Sequence, residues 1–95
     1  MEIKTKLGLR IKAIRETVSM SQKDLAYSAD LDRSYIASVE SGQRNVSIVN
    51  IEKIAIALGV SVKEFFNDCS FDDKKSLWTK NIKELTYSVV SVVLD

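Results

Sequence analysis

The stretch Ser21–Gly42, SQKDLAYSADLDRSYIASVESG, decides how the rest of the chain is read. Its apolar residues Leu25, Ala26, Ala29, Leu31, Ile36 and Val39 keep helical spacing, break at Asp30, and then resume helical spacing. Ser21 with Asp24 three residues on is close to the S-x-x-E capping box that satisfies free amide donors at a helix start. Asp32 is placed to start a second helix and Gly42 to stop it. Asp30, at the break, is expected in a left-handed conformation, which Asp tolerates better than most residues other than glycine. The stretch therefore reads as two short helices joined by a tight turn.

Such a pair matches the helix-turn-helix motif, whose second helix enters the major groove of DNA. With Ile36, Val39 and Glu40 turned inward, Arg33, Ser34, Ala37, Ser38 and Ser41 are left outward. An arginine can hold guanine O6 and N7 with two hydrogen bonds, a pairing worth roughly 1–3 kcal/mol of discrimination. Ser34 and Ser38 are short enough to meet a base edge, and Ala37 allows close approach or contact with a thymine methyl. A merely solvated face would carry more Glu and Lys. Gln22 stands in the first turn of the first helix, where side chain and free amides suit a phosphate oxygen. Past Gly42, the loop residues Gln43, Arg44 and Asn45 fall beside the DNA backbone, with Arg44 the strongest phosphate candidate.

Outward on the N-terminal side, Leu7, Ile11, Ile14 and Val18 recur on one face of a helix expected over about Lys6 to Val18. Arg10, Lys12 and Glu16 are expected to face water. Arg15, next to Ile14 at the edge of the apolar face, reads either as solvated or as reaching inward. Outward on the other side, Ser47 caps a helix over about Ile48 to Leu58 that is expected to bury Ile48, Ile51, Ile54, Ala55 and Leu58. Gly59 ends it. Ser61 and Glu64 form a capping box for a short fifth helix carrying Val62, Phe65 and Phe66.

The polar segment from Asn67 to Lys75 reads as a linker or the start of a further helix. Beyond it Trp78, Ile82, Leu85, Val89 and Val92 keep a helical period, although Val89 to Leu94 is β-branched enough to read as a strand. This stripe has no place in a core closed by five helices, and an exposed stripe of that size marks an interaction surface. Together with Phe65 and Phe66, these residues are the candidates for a dimer interface.

Composition supports an all-α chain: 95 residues with no proline and three glycines. That length implies a modest core, for which association is a common support. Residues 1–67 are read as the DNA-binding domain and 68–95 as a C-terminal extension, helical and dimerising. The formal charge is only +1, so the case for nucleic acid rests on where the charges stand. With no histidine and a single Cys69, neither a metal centre nor an activated nucleophile is legible, and no cofactor or enzymatic activity is expected. No apolar run approaches the roughly 20 residues that span a bilayer, and no secretory start precedes the first helix, which places the chain in the cytoplasm.

From about Leu7 to Phe66 the chain resembles the helix-turn-helix domain shared by phage repressors and Xre-type bacterial regulators. Ser21, Gln22, Leu25, Ala26, Leu31, Ile36, Val39, Glu40 and Gly42 stand in that family's order and spacing. Within it, DRSYIASVESGQRNVSIVNIEKIAIALGV is most similar to the controller proteins of restriction-modification systems. The resemblance implies a five-helix, lambda-repressor-like fold, to which this chain adds the C-terminal extension read above as helical, and a dimer binding a pseudo-palindromic double-stranded operator. It further implies base contacts from Arg33, Ser34 and Ser38, backbone contacts from Gln22, Arg44 and Asn45, and a phosphate brace from Tyr35. It also implies an ion pair between Arg15 and Glu40. The extension departs from the family, and supports a second reading in which it binds a partner protein, as an antitoxin does.

Overall fold

The computed structural model describes residues 2–72, which form five α-helices and one 3₁₀ turn. The helices are α1 (Ile3–Thr17), α2 (Gln22–Ala29), α3 (Arg33–Glu40), α4 (Ile48–Ala57) and α5 (Val62–Phe66), with the 3₁₀ turn at Cys69–Phe71. The stripe Trp78, Ile82, Leu85, Val89 and Val92, and with it the choice between helix and strand at Val89 to Leu94, lies outside the described residues.

Local chemistry accounts for the helix starts. Ser21 accepts from the Asp24 amide at 3.0 Å while Asp24 accepts from the Ser21 amide at 3.1 Å. The same reciprocal pair joins Ser61 and Glu64, and Ser47 accepts from the Asn50 amide. Each hydroxyl satisfies one donor that the helix leaves free. Asp32 occupies the cap position of α3, but its side chain makes no capping hydrogen bond.

Four of the helices end alike. Met20 N–H donates to Arg15 O, Leu31 to Ala26 O, Gln43 to Ser38 O and Val60 to Ala55 O, the six-to-one bond of a Schellman turn. The left-handed residue in these turns is Gly42 (φ 79°) and Gly59 (φ 81°), but Ser19 (φ 60°) after α1 and Asp30 (φ 58°) after α2. Asp30 thus takes the expected conformation. Ser19 shares it with no glycine in the sequence to signal it.

The core is one cluster drawn from every helix: Leu7, Ile11, Leu25, Ala26, Ala29, Ile36, Val39, Ile54, Ala55, Leu58 and Phe65. The α1 backbone comes so close to the end of α3 that a Cβ on Gly8 would lie 2.5 Å from the carbonyl oxygens of both Val39 and Glu40. Only glycine permits that approach.

Several expectations from periodicity are corrected. α1 begins at Ile3 rather than near Lys6, and Val18 caps it in an exposed position instead of joining the apolar face. Arg10 does not simply face water: Nε donates to Phe65 O at 2.7 Å and Nη2 to Glu64 O at 2.9 Å, with Asp68 3.8 Å away. Its guanidinium bonds the last carbonyls of α5, sharing Glu64 O with the Asn67 amide. Ile48 is 66% exposed, together with Val49 and Ile56 on the outer side of α4, because at the first turn of that helix the core-facing direction has passed to Ile51 and Ile54. Phe65, counted among the dimer-interface candidates, is fully buried and belongs to the protomer's own core. Phe66 is half-buried. It meets Phe65 and Phe71 edge-on at centroid distances of 5.0 Å. Through Phe71 and the Arg10–Asp68 pair, residues 68–72 pack onto the helical unit rather than leaving it at residue 67.

Candidate nucleic-acid interface

The α2–α3 pair is set by residues that face inward. Leu25, Ala26, Ala29, Ile36 and Val39 are buried between the two helices and against α1 and α4, and Leu31 closes the turn half-buried. What remains outward on α3 is therefore dictated by the core. Arg33 and Ser34 are exposed at the N-terminal end of the helix, whereas Ala37 and Ser38 are half-buried further along. Among the described residues the Arg33 side chain makes no hydrogen bond or ion pair, so its five donors are available to an outside partner.

At the other end of α3, Glu40 turns back into the protein. Arg15 Nε donates to Glu40 Oε2 at 2.7 Å and Arg15 Nη2 to Oε1 at 3.0 Å, a two-pronged pair whose side chains are 11% and 5% exposed. Arg15 Nη1 also donates to Met20 O, and Gln22 Nε2 to Glu40 Oε1 at 3.1 Å. Hydrogen bonding to the Glu40 carboxylate holds the Arg15 guanidinium still further above its ordinary pKa. α1, the start of α2 and the end of α3 are thereby tied at one point. Gln22, singled out for phosphate, has its amide engaged there.

A second network lies on the outer surface. Ser38 Oγ donates to Tyr35 O at 2.8 Å and accepts from Arg44 Nε at 3.0 Å. The Arg44 guanidinium carbon stands 5.7 Å from the centre of the Tyr35 ring, within cation–π range. Asn50 Nδ2 donates to the Tyr35 hydroxyl at 3.0 Å. The loop arginine, the middle of α3 and the first turn of α4 are thus one connected surface. Gln43 and Asn45 are exposed on either side of Arg44. Reasoning from sequence missed Asn50, whose only signal was a polar residue among the apolar ones of the first turn of α4.

Among the described residues no group of three potential ligands is arranged for a metal ion, and no helix is long and apolar enough to cross a membrane.

An exposed arginine-led α3 held on α2 across a left-handed turn defines a helix-turn-helix domain. Comparison with known proteins gives the particular group. The helix-turn-helix family pattern matches residues 11–65, and the chain belongs to that family. It is similar to the control protein C.MunI of a Mycoplasma species, 46% identical over 68 residues that span 70% of this chain and 92% of that protein. Among solved structures, the restriction-modification controller protein C.AhdI from Aeromonas hydrophila is 48% identical with a TM-score of 0.64, over 66% of this chain and 96% of that one. The restriction-modification controller protein C.Esp1396I, solved as a tetramer with its natural 35-base-pair operator, is 41% identical with a TM-score of 0.66, over 70% and 87% of the two chains.

Proposed function

We propose that this protein is a sequence-specific transcriptional regulator, the controller protein of a restriction-modification system, which binds operator DNA as a homodimer in the cytoplasm and catalyses no reaction. The observation that carries the reading is the pairing of an exposed Arg33, which among the described residues has no side-chain partner, with a core that fixes α3. The likeness to controller proteins, one of them solved on its operator, supports it.

Arg33 and Ser34 read base edges, with Ala37 setting how closely α3 enters the groove. Ser38 acts chiefly by orienting Arg44, since its hydroxyl is engaged on both sides. Arg44, Tyr35, Gln43 and Asn45 meet the sugar-phosphate backbone, joined by the amide end of α2 at Gln22. Residues 1–67 carry the DNA contacts, and the extension from residue 68 brings two copies together, so that their α3 helices meet half-sites one helical turn or a multiple apart.

Selection of bound duplexes from a random pool tests this directly. A recovered site with two-fold symmetry is expected. Binding that fails to distinguish the selected site from random duplex at physiological salt refutes it.

A further inference from the structure

A recess of about 200 Å³ opens on the surface between the start of α1, the loop after α3, and α4 and α5. Ile3, Val46, Ile51 and Phe66 make its apolar walls, and Lys4 and Arg44 bring cationic side chains to it. Its walls are mostly apolar, so water held there finds few hydrogen-bond partners. A hydrated apolar recess of that size favours a large side chain that excludes the water.

We propose that the occupant is Trp78 of the same chain. The Phe71 ring stands 5.0 Å from that of Phe66, one wall of the recess, so the chain passes close beside it just before residue 72. Trp78 follows Asp72 by six residues, a span of up to about 20 Å when extended, which is ample reach from that exit. Only Trp78 and Tyr87 are aromatic beyond residue 72, and Tyr87 is fifteen residues out. Lysine and arginine beside the recess favour an aromatic occupant over an aliphatic one, and indole has the strongest attraction for a cation.

The consequence reaches the DNA-facing surface. Arg44, Asn45 and Val46 line the recess, so an indole seated there braces the loop that carries the backbone contacts. The extension then does more than join two copies. Its first aromatic residue packs in cis, and Ile82, Leu85, Val89 and Val92 remain for association.

Trp78 is the only tryptophan, so fluorescence excited selectively at the indole, beyond the absorption of the three tyrosines, reports on it alone. The expected result is blue-shifted emission, shielded from acrylamide and unchanged on dilution through the range where the dimer dissociates. Ile3→Glu changes a wall residue that is 60% exposed and leaves the fold intact by circular dichroism. It is expected to move the emission to the red and to raise quenching, while Ile56→Glu on the outer side of α4 changes neither. A second wall variant, Val46→Gln, repeats the test. Emission typical of exposed indole in the unaltered chain overturns the proposal. So does shielding lost on dilution, which assigns the recess to a second copy, and so does shielding that survives both wall variants in folded protein.

Discussion

Arg15 Nε and Glu40 Oε2 stand 2.7 Å apart across 25 positions of sequence, joining α1 to the end of α3. Both side chains are nearly out of water, so removing one strands a charge, typically costing about 3 kcal/mol or more, whereas removing both strands neither. Arg15→Met and Glu40→Leu are each expected to lower stability by about that amount. The double variant is expected to recover part of the loss, though Met20 O and Gln22 keep unanswered groups. Urea unfolding of all four proteins gives the coupling energy.

Ser19 and Asp30 hold the left-handed position that Gly42 and Gly59 hold in the equivalent turns. A side chain there costs about 1–2 kcal/mol, partly offset by the greater freedom glycine has when unfolded. Ser19→Gly is expected to raise stability by about 0.5–1 kcal/mol. Asp30→Gly should gain less, because Asp tolerates this conformation. Thermal midpoints compared with the unaltered protein decide both.

Gly8→Ala reverses the usual helix preference. On an open helix, alanine is favoured over glycine by about 1 kcal/mol. Here its methyl would meet two backbone carbonyls at 2.5 Å, and backbone cannot swing aside as a side chain can. A fall in stability is expected, with weaker operator binding at temperatures where the variant is still folded.

The two exposed arginines separate in their effects on DNA. Arg33→Ala is expected to cost about 1–3 kcal/mol on the selected site and to relax preference at one base pair of each half-site. Arg44→Ala is expected to weaken all duplexes about equally and to lower the salt slope by roughly one per protomer. Tyr35→Phe removes the acceptor for Asn50 but keeps the ring under Arg44, and is expected to fall between the two. Binding titrations at several salt concentrations, on selected and random duplexes, distinguish these outcomes.

The Ser21 backbone amide, and then its hydroxyl, hold the Asp24 carboxylate below the usual carboxylate range. Because the folded pKa is the lower one, this contribution to stability is complete above the unfolded pKa near 3.8 and fades as pH falls through the folded value. Asp24→Asn is expected to melt lower at neutral pH and to lose less on acidification below pH 3.8 than the unaltered chain. Melting temperature followed across acid pH checks the sign.

Most of the fold was legible because short-range chemistry and periodicity agree. Ser21 with Asp24 and Ser61 with Glu64 announce their helices, and Gly42 and Gly59 their ends. Ser19 was opaque, since a serine in a left-handed turn looks like any serine. Ile48 was misplaced because periodicity alone does not say at which turn an apolar face begins to be covered. Arg10 and Asn50 were missed for a shared reason: their partners, carbonyls of α5 and the hydroxyl of Tyr35, are distant in sequence, and nothing local marks them. The Arg15–Glu40 link became legible only through family resemblance. Spacing along the chain left Arg15 open between water and protein.

The contact at Gly8 bears on how proteins of this architecture diverge. Where α1 and α3 touch backbone to backbone, the angle at which α3 leaves the body is set without reference to Arg33 or Ser34. Those two positions are free to change with little loss of stability, so if they read base edges as proposed, a new target is acquired by exchanging letters on a fixed type-bar. What cannot drift is the mount: a side chain at Gly8 would re-aim every letter at once.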